Sequence, residues 1–265
     1  MGESSGRSAC DRLARPHPIG AFMKVAAYQA SLLTTLSRER ALQDIRASID
    51  WCERNDVEVL CFPEGVLGGL ADYVEEPFEI AFDVRSEEFR SVVTRLASPS
   101  VMTIFGFTEN DGGRLFNSAA AIHDGAVVGI YRKLHPAIRR SVYQPGSTAP
   151  IFSWGRMRFG ILICRDSNFE SPARDMAARG AKVLFIPTNN GLPPGKPLAK
   201  IAAEARRVDE DLARKNKVWV VRADVSGDSD RLQAHGSSEI VTPEGVPLRS
   251  AEAGFTGPIV AELDI

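Results

Sequence analysis

The spacing of apolar residues changes several times between helix-like and strand-like along the chain. Leu42, Ile45, Ile49 and Cys52 recur at helical spacing inside a mixed polar segment, which predicts an amphipathic helix. Further helices are predicted over residues 87–96, 173–179 and about 198–216. Short apolar runs predict strands at residues 23–29, 56–62, 102–107, 117–123, 126–131, 159–163, 182–186, 218–223, 237–242 and 259–263.

The order of these elements indicates the fold class. Strands alternate with helices in both halves, and Asp124-Gly125 between two strands predicts a tight hairpin, because Gly tolerates a positive φ. The mixture predicts one α/β domain with a mixed sheet or a pair of sheets. Because no low-complexity linker or short repeat follows residue 22, we predict a flexible tail at residues 1–22 and a single domain at residues 23–265.

Composition narrows the possible partners. The chain has 265 residues, enough to bury a large core, with 44% hydrophobic and 25% charged residues. The 32 basic and 34 acidic residues leave a net charge of -2, so neither nucleic acid nor an anionic membrane is an expected partner. The longest apolar runs are far shorter than the roughly 20 residues that a transmembrane helix needs.

The cysteines bear on compartment and metal binding. Cys10, Cys52, Cys61 and Cys164 form no CxxC pair and no Cys/His spacing typical of a zinc site. This usage suits a reducing cytoplasm, and the first 22 residues lack the apolar region of a secretory signal. We therefore expect a cytoplasmic protein without a metal site.

Three residues stand where strands are predicted to end. Cys164 follows an apolar strand, where a thiol is held rigidly and can face a cleft, although an isolated cysteine is more often a small core residue. Glu64 follows Pro63 at a strand end and is either a general base or a solvated loop acid. Lys133 follows the second strand of the hairpin, and taken alone it is equally consistent with an ordinary surface lysine. None of the three is decisive alone.

Together these residues carry a resemblance to the nitrilase (carbon-nitrogen hydrolase) superfamily. That family places a Glu in an FPE strand end, a Lys in a YRK-x-H motif and a Cys after an apolar strand, in the order in which Glu64, Lys133 and Cys164 occur here. The resemblance extends over residues 23–265 through further motifs at residues 117–119, 144–146, 178–181, 213–221, 235–238 and 243–245. Joint occurrence of these motifs in order by chance is very improbable.

The resemblance implies a fold and a mechanism. The fold is a four-layer α-β-β-α sandwich of two mixed sheets, and such chains usually assemble into homodimers or higher homo-oligomers. The mechanism implies that Cys164 attacks a carbonyl or nitrile carbon, that Lys133 and the backbone N-H of Arg165 hold the oxyanion, and that Glu64 moves the protons. Neither a metal nor a cofactor is required. A cation such as Lys133 beside Cys164 is also expected to lower the pKa of the thiol.

The chain departs from the family pattern around the substrate. Many members carry a second glutamate before the Pro-Gly at residues 145–146, and here Arg139 takes that position. An arginine there either binds a substrate carboxylate, repels Lys133, or points into solvent. Arg165, directly after the nucleophile, adds a second reason to expect an acidic or strongly polar substrate. We predict Arg139, Arg165 and Asn189 as substrate-binding residues.

The sequence thus favours an amidase that acts on a small linear amide, either an ω-amide or an N-carbamoyl compound. Two alternatives stay open at this stage. One is a true nitrile hydrolase, and the other is a catalytically weak or inactive binding scaffold, which the missing second glutamate suggests.

Overall fold

The computed structural model describes residues 22–32, 37–137, 140–229 and 231–265. The predicted flexible tail therefore lies outside the described residues except for Phe22, which already belongs to the first strand. Four α-helices lie in the described part of the chain: α1 (Arg38–Arg54), α2 (Glu87–Arg95), α3 (Glu170–Ala178) and α4 (Leu198–Asn216). No helix of this part is both long enough and apolar enough to cross a bilayer.

Strands, numbered in chain order, form two sheets. The larger contains β1 (Phe22–Ser31), β2 (Val59–Cys61), β3 (Ala81–Phe82), β4 (Met102–Asp111), β5 (Arg114–His123), β6 (Ala126–Arg132), β11 (Val225–Asp228), β12 (Gln233–Ala234) and β15 (Gly257–Asp264). The smaller contains β7 (Ile151–Trp154), β8 (Met157–Ile161), β9 (Val183–Pro187), β10 (Trp219–Ala223), β13 (Glu239–Val241) and β14 (Pro247–Ser250).

Both sheets are mixed. The larger runs in the order β12-β11-β1-β2-β4-β5-β6, with β15 also paired to β1 and β3 to β4. Its centre is parallel, as in β1 with β2 and β2 with β4, whereas β4, β5 and β6 are antiparallel. The smaller sheet runs β14-β13-β10-β9-β8-β7, with β8, β9 and β10 parallel to one another.

The layers follow from which apolar faces are buried together. One core cluster joins the inner faces of the two sheets, represented by Val59 and Val220, and extends to α3 and α4. A second cluster packs α1 and α2 on the outer face of the larger sheet, as Ile45 and Phe89 show. The predicted α-β-β-α sandwich of two mixed sheets is therefore confirmed.

Local sequence signals explain the main elements. In α1, the apolar positions predicted from the spacing are all buried, and the Ser37 side chain caps the first turn by accepting a hydrogen bond from the Arg40 backbone N-H. The predicted hairpin is β5 and β6, with positive φ at both Asp124 (47°) and Gly125 (74°), as a tight primed turn requires. Helix α4 is closed by Lys217, the residue after its last turn, which has a left-handed conformation.

Candidate active site

The three predicted catalytic residues lie just after the ends of three strands. Glu64 follows β2, Lys133 follows β6, and Cys164 opens a short 3-10 turn, Cys164–Asn168, after β8. Strands β2 and β6 belong to the larger sheet and β8 to the smaller, so the site is assembled from both sheets. Electrostatic interactions of the Cys164 thiol with both Glu64 and Lys133 place the three groups in one site.

Glu64 and Lys133 form a buried ion pair. The Lys133 Nζ donates to Glu64 Oε1 at 2.5 Å, and each residue is only 2% exposed. Burial opposes the charged form of the lysine, but the surrounding negative charges, Glu64 first, and the hydrogen bond to Glu64 together outweigh it and hold the pKa of Lys133 above its ordinary value. The lysine is therefore a fixed cation inside the site.

Two further donors hold the Glu64 carboxylate in place. The side chain of Asn117 donates to Oε1 at 2.7 Å, and the backbone N-H of Asn189 donates to Oε2 at 3.0 Å. Below this carboxylate, Gly106 allows a close approach of two segments, since a Cβ there would lie 2.7 Å from the Glu64 Cα. Both oxygens of Glu64 thus have directed partners.

Cys164 occupies a strained backbone position. Its φ of 46° lies in the left-handed region, which costs a residue with a side chain on the order of 1–3 kcal/mol and is often found at functional sites. The residue is partly exposed, and its Sγ lies 3.9 Å from Asn190 Oδ1. The residue is thus held on a rigid turn and is only partly buried.

The pKa of the Cys164 thiol is raised to about 12, first because of burial and next because of the Glu64 charge. Lys133 and Arg222 lower it, so the expected effect of the lysine has the right sign. The net direction is nevertheless opposite to the expectation from sequence. The resting sulfur is a thiol, and a base must take its proton during attack.

A single buried carboxylate connects the lysine segment to the cysteine turn. Asp166 is 0% exposed and accepts hydrogen bonds from the Tyr131 hydroxyl at 2.8 Å and from the His135 backbone N-H at 2.8 Å. It also accepts from the Ile163 backbone N-H at 3.2 Å. Tyr131 and His135 lie on either side of Lys133 in the chain, and Ile163 directly precedes Cys164. Asp166 therefore fixes the distance between the lysine segment and the cysteine turn.

Comparisons with known proteins identify the family to which this chain belongs. Residues 24–265 match the carbon-nitrogen hydrolase family. The chain belongs to that family. It is 32% identical over 194 residues to a protein named nitrilase from Pyrococcus abyssi, an alignment that covers 72% of this chain and 70% of the relative. It is 36% identical over 162 residues to N-carbamoylputrescine amidase from Solanum tuberosum, covering 58% of this chain and 53% of that protein.

The fold of this carbon-nitrogen hydrolase also occurs among solved structures. A mutant of an amidase of the nitrilase superfamily from Nesterenkonia AN1 superposes with a TM-score of 0.76, covering 91% of this chain and 90% of that chain at 20% identity. At that identity the likeness establishes the fold alone, and it identifies the sandwich as nitrilase-like. Membership of the family makes this chain a hydrolase of the amidase-like kind.

The predicted substrate-binding residues of this hydrolase have different placements. Arg139 lies outside the described residues. Arg165 is exposed and donates to the Ala137 carbonyl at 2.9 Å, with its guanidinium 5.9 Å from the centre of the Phe169 ring. Asn189 is partly exposed, and its backbone N-H holds Glu64. Binding of substrate by these residues stays a prediction.

Sequence reasoning missed a second polar network beside the sulfur. Asn190 donates through its backbone N-H and its side-chain Nδ2 to Asp224, each at 3.0 Å, and Asp224 is 0% exposed. The buried Ser237 hydroxyl donates to the same carboxylate at 2.5 Å. This network turns the Asn190 Oδ1 toward Cys164. Only the position of Asn190 at a strand end offered a sequence signal for it.

Tyr73 is another residue that the sequence did not single out. It ends a short 3-10 turn, Ala71–Tyr73, and its phenol is half-buried. Burial and the charges of Asp72, Glu64 and Cys164 raise the pKa of this phenol. Tyr73 therefore lies close enough to Glu64 and Cys164 for their charges to act on its phenol. Among the residues that the structure describes, no group of three or more His, Cys, Asp or Glu side chains is arranged to hold a metal ion.

Proposed function

We propose that this hydrolase cleaves the carbon-nitrogen bond of a small linear amide, an ω-amide or an N-carbamoyl compound, through a thioester on Cys164. The observation that carries the proposal is the buried Glu64–Lys133 pair, whose two charges both act on the Cys164 thiol. A base, a fixed cation and a sulfur in one partly buried site are the groups that covalent amide hydrolysis requires.

The first half of the reaction forms the thioester. The Cys164 sulfur attacks the carbonyl carbon while Glu64 takes the thiol proton, as the raised pKa of that thiol requires. The Lys133 ammonium and the backbone N-H of Arg165 stabilise the oxyanion. The carbon-nitrogen bond then breaks, Glu64 gives its proton to the departing nitrogen, and ammonia or an amine leaves.

The second half restores the enzyme. Water attacks the thioester carbon while Glu64 accepts one of its protons. The carbon-sulfur bond breaks, the acid is released, and the proton on Glu64 returns to the sulfur. The sum is the addition of one water across the carbon-nitrogen bond, and no redox partner is involved.

Two hydrogen-bond acceptors, one at the sulfur and one beside Glu64, support a substrate rich in N-H groups. Asn190 Oδ1 lies 3.9 Å from the thiol, and Asn117 Oδ1, beside Glu64, is buried without a partner among the described residues. A buried acceptor without a donor is costly, and an amide or ureido NH2 group supplies that donor. The name of the N-carbamoylputrescine amidase relative supports the same substrate class.

The test is ammonia release by purified enzyme from a matched panel of primary amides, ureido acids and nitriles of the same chain length. We expect turnover of primary amides or ureido compounds, preference for carboxylated members, and loss of activity in Cys164→Ala. A preference for neutral amides overturns the roles given to Arg139 and Arg165. Faster turnover of nitriles overturns the amide assignment, and the absence of turnover across the panel favours the binding scaffold.

A further inference from the structure

A second buried ion pair lies behind the cysteine turn, outside the proposed catalytic groups. Arg222, near the end of β10, is 2% exposed, and its Nε and Nη2 both donate to Asp209 of α4, which is 0% exposed. Burial opposes the charge of Arg222, but Asp209 keeps the pKa of the guanidinium above its ordinary value. Burial of two charged groups is costly unless good geometry and additional hydrogen bonds offset the loss of hydration.

The remaining donors of Arg222 reach the turn that carries the sulfur. Its Nη2 donates to the Ser167 Oγ at 3.1 Å, and that hydroxyl in turn donates to the carbonyl oxygen of Cys164 at 2.9 Å. This series of hydrogen bonds ends at Cys164, the residue with the left-handed backbone conformation. Arg222 thereby braces the one backbone position that the turn holds in a strained conformation.

The same guanidinium also reaches the segment that holds Glu64. Its Nη1 donates to the Thr188 Oγ1 at 2.6 Å, and the Thr188 carbonyl accepts a hydrogen bond from the Glu64 backbone N-H at 3.3 Å. The next residue, Asn189, donates its backbone N-H to the Glu64 carboxylate. One rigid planar group therefore spans the segments of the base and of the sulfur.

We propose that Arg222, oriented by Asp209, is a positioning residue that fixes the Cys164 turn relative to Glu64 through Ser167 and Thr188. The inference rests on the proposed function, because it assumes that Cys164 is the nucleophile and Glu64 the base. A planar fork with five N-H donors suits such a bridge, whereas a lysine supplies the charge without the geometry.

The positive charge of Arg222 also favours catalysis, because it lowers the pKa of the Cys164 thiol. The groups that act on the thiol are Glu64 and Asp224, which raise its pKa, and Lys133 and Arg222, which lower it. Asp209 and Asp224 act on Arg222 in turn. Removal of the Arg222 charge is therefore expected to make the Cys164 thiol harder to deprotonate, which a purely structural role does not predict.

The test compares Arg222→Lys with the paired replacement Arg222→Gln plus Asp209→Asn, which removes both buried charges together and so leaves no unpaired ion. Steady-state kinetics on the best substrate is combined with iodoacetamide labelling of Cys164, followed by mass spectrometry between pH 7 and 9.5. The buried Cys52 and Cys61 serve as internal references. The matched control is Arg206→Gln, an arginine of α4 that donates instead to the Ala251 carbonyl.

We expect the paired variant to lose about tenfold or more in kcat with KM changed by less than about threefold, and to label Cys164 about tenfold more slowly at fixed pH. Arg222→Lys keeps the labelling rate within about threefold but still loses about tenfold in kcat, because the bridge is missing. The control keeps wild-type values.

Wild-type kcat and wild-type labelling in both a folded paired variant and Arg222→Lys overturn the inference while leaving the proposed function intact. If the paired variant fails to fold, wild-type kcat in Arg222→Lys alone overturns it. A wild-type enzyme that shows neither ammonia release nor Cys164 labelling overturns the proposed function itself.

Discussion

The Lys133 ammonium donates to the Glu64 carboxylate at 2.5 Å inside a site where both residues are 2% exposed. The base and the cation that the mechanism needs are therefore mutual partners before any substrate arrives. Neither charge has access to bulk water, so each depends on the other for stability as well as for function.

Replacement of Lys133 by Met tests this dependence. The Glu64 carboxylate is left buried without its counter-ion, so we expect the free energy of unfolding to fall by about 3–5 kcal/mol. Urea unfolding followed by circular dichroism measures the change. The double variant Glu64→Gln plus Lys133→Met is expected to recover much of the lost stability. A Lys133→Met variant as stable as the wild type contradicts the stabilising role of the ion pair.

Replacement of Glu64 by Gln tests the base with little change of shape. The amide cannot accept the thiol proton, so we expect kcat to fall by about 10²–10⁴. Steady-state ammonia release measures it. Glu58→Gln, a change at a carboxylate near the start of β2, is the control and is expected to keep wild-type kcat. A Glu64→Gln variant that turns over at the wild-type rate assigns the base elsewhere.

Replacement of Asp166 by Asn tests the link between the lysine and cysteine segments. The amide keeps one acceptor oxygen where the carboxylate has two, and its NH2 faces donors such as the Tyr131 hydroxyl and the His135 N-H. We expect a loss of about 2–3 kcal/mol in unfolding free energy and about 10–100-fold in kcat. Asp175→Asn, on the exposed side of α3, is the matched control. Wild-type behaviour of Asp166→Asn contradicts its linking role.

Glu239 gives a prediction about pH. Burial raises the pKa of this carboxyl group on β13 from 4.5 to about 7. The folded state therefore retains a proton that the unfolded chain has already released, so the stability contributed below about pH 4.5 is lost as pH rises to about 7. The loss amounts to about 3 kcal/mol.

Glu239→Gln is expected to remove this dependence of the unfolding free energy on pH. The stability of the variant relative to the wild type therefore increases between pH 5 and pH 8. Urea midpoints at the two pH values measure the gain. The exposed Glu244→Gln is the control. A Glu239→Gln variant whose stability depends on pH in the same way as that of the wild type contradicts the prediction.

The sequence predicted the parts of this molecule that local patterns encode. Helix α4 and the hairpin at Asp124-Gly125 were predicted because their periodicity and turn residues are contiguous in the chain. The two-residue strands β3 and β12 and the exposed edge strand β14 carry no such pattern and were missed. Glu64, Lys133 and Cys164 emerged only when three motifs were considered jointly.

The rest of the site depends on long-range contacts. Arg222 lies in an apolar run, and nothing near it in sequence indicates that it meets Asp209 and the cysteine turn. The raised pKa of the Cys164 thiol likewise results from burial and from the Glu64 charge. Both depend on the three-dimensional structure, so the order of the motifs in the sequence does not predict their net effect. Asn117 belongs to the family motif at residues 117–119, but only the fold shows that its side chain donates to Glu64.

The most direct measurement of the central claim is the mass of the enzyme quenched in acid during turnover of its best amide substrate. The mechanism predicts a species heavier than the free enzyme by the substrate minus ammonia or the departing amine. Proteolysis is expected to locate that mass on the peptide containing Cys164, and Cys164→Ala is expected to show neither the adduct nor turnover. A Cys164→Ala variant that hydrolyses the amide at a rate close to the wild type contradicts the account.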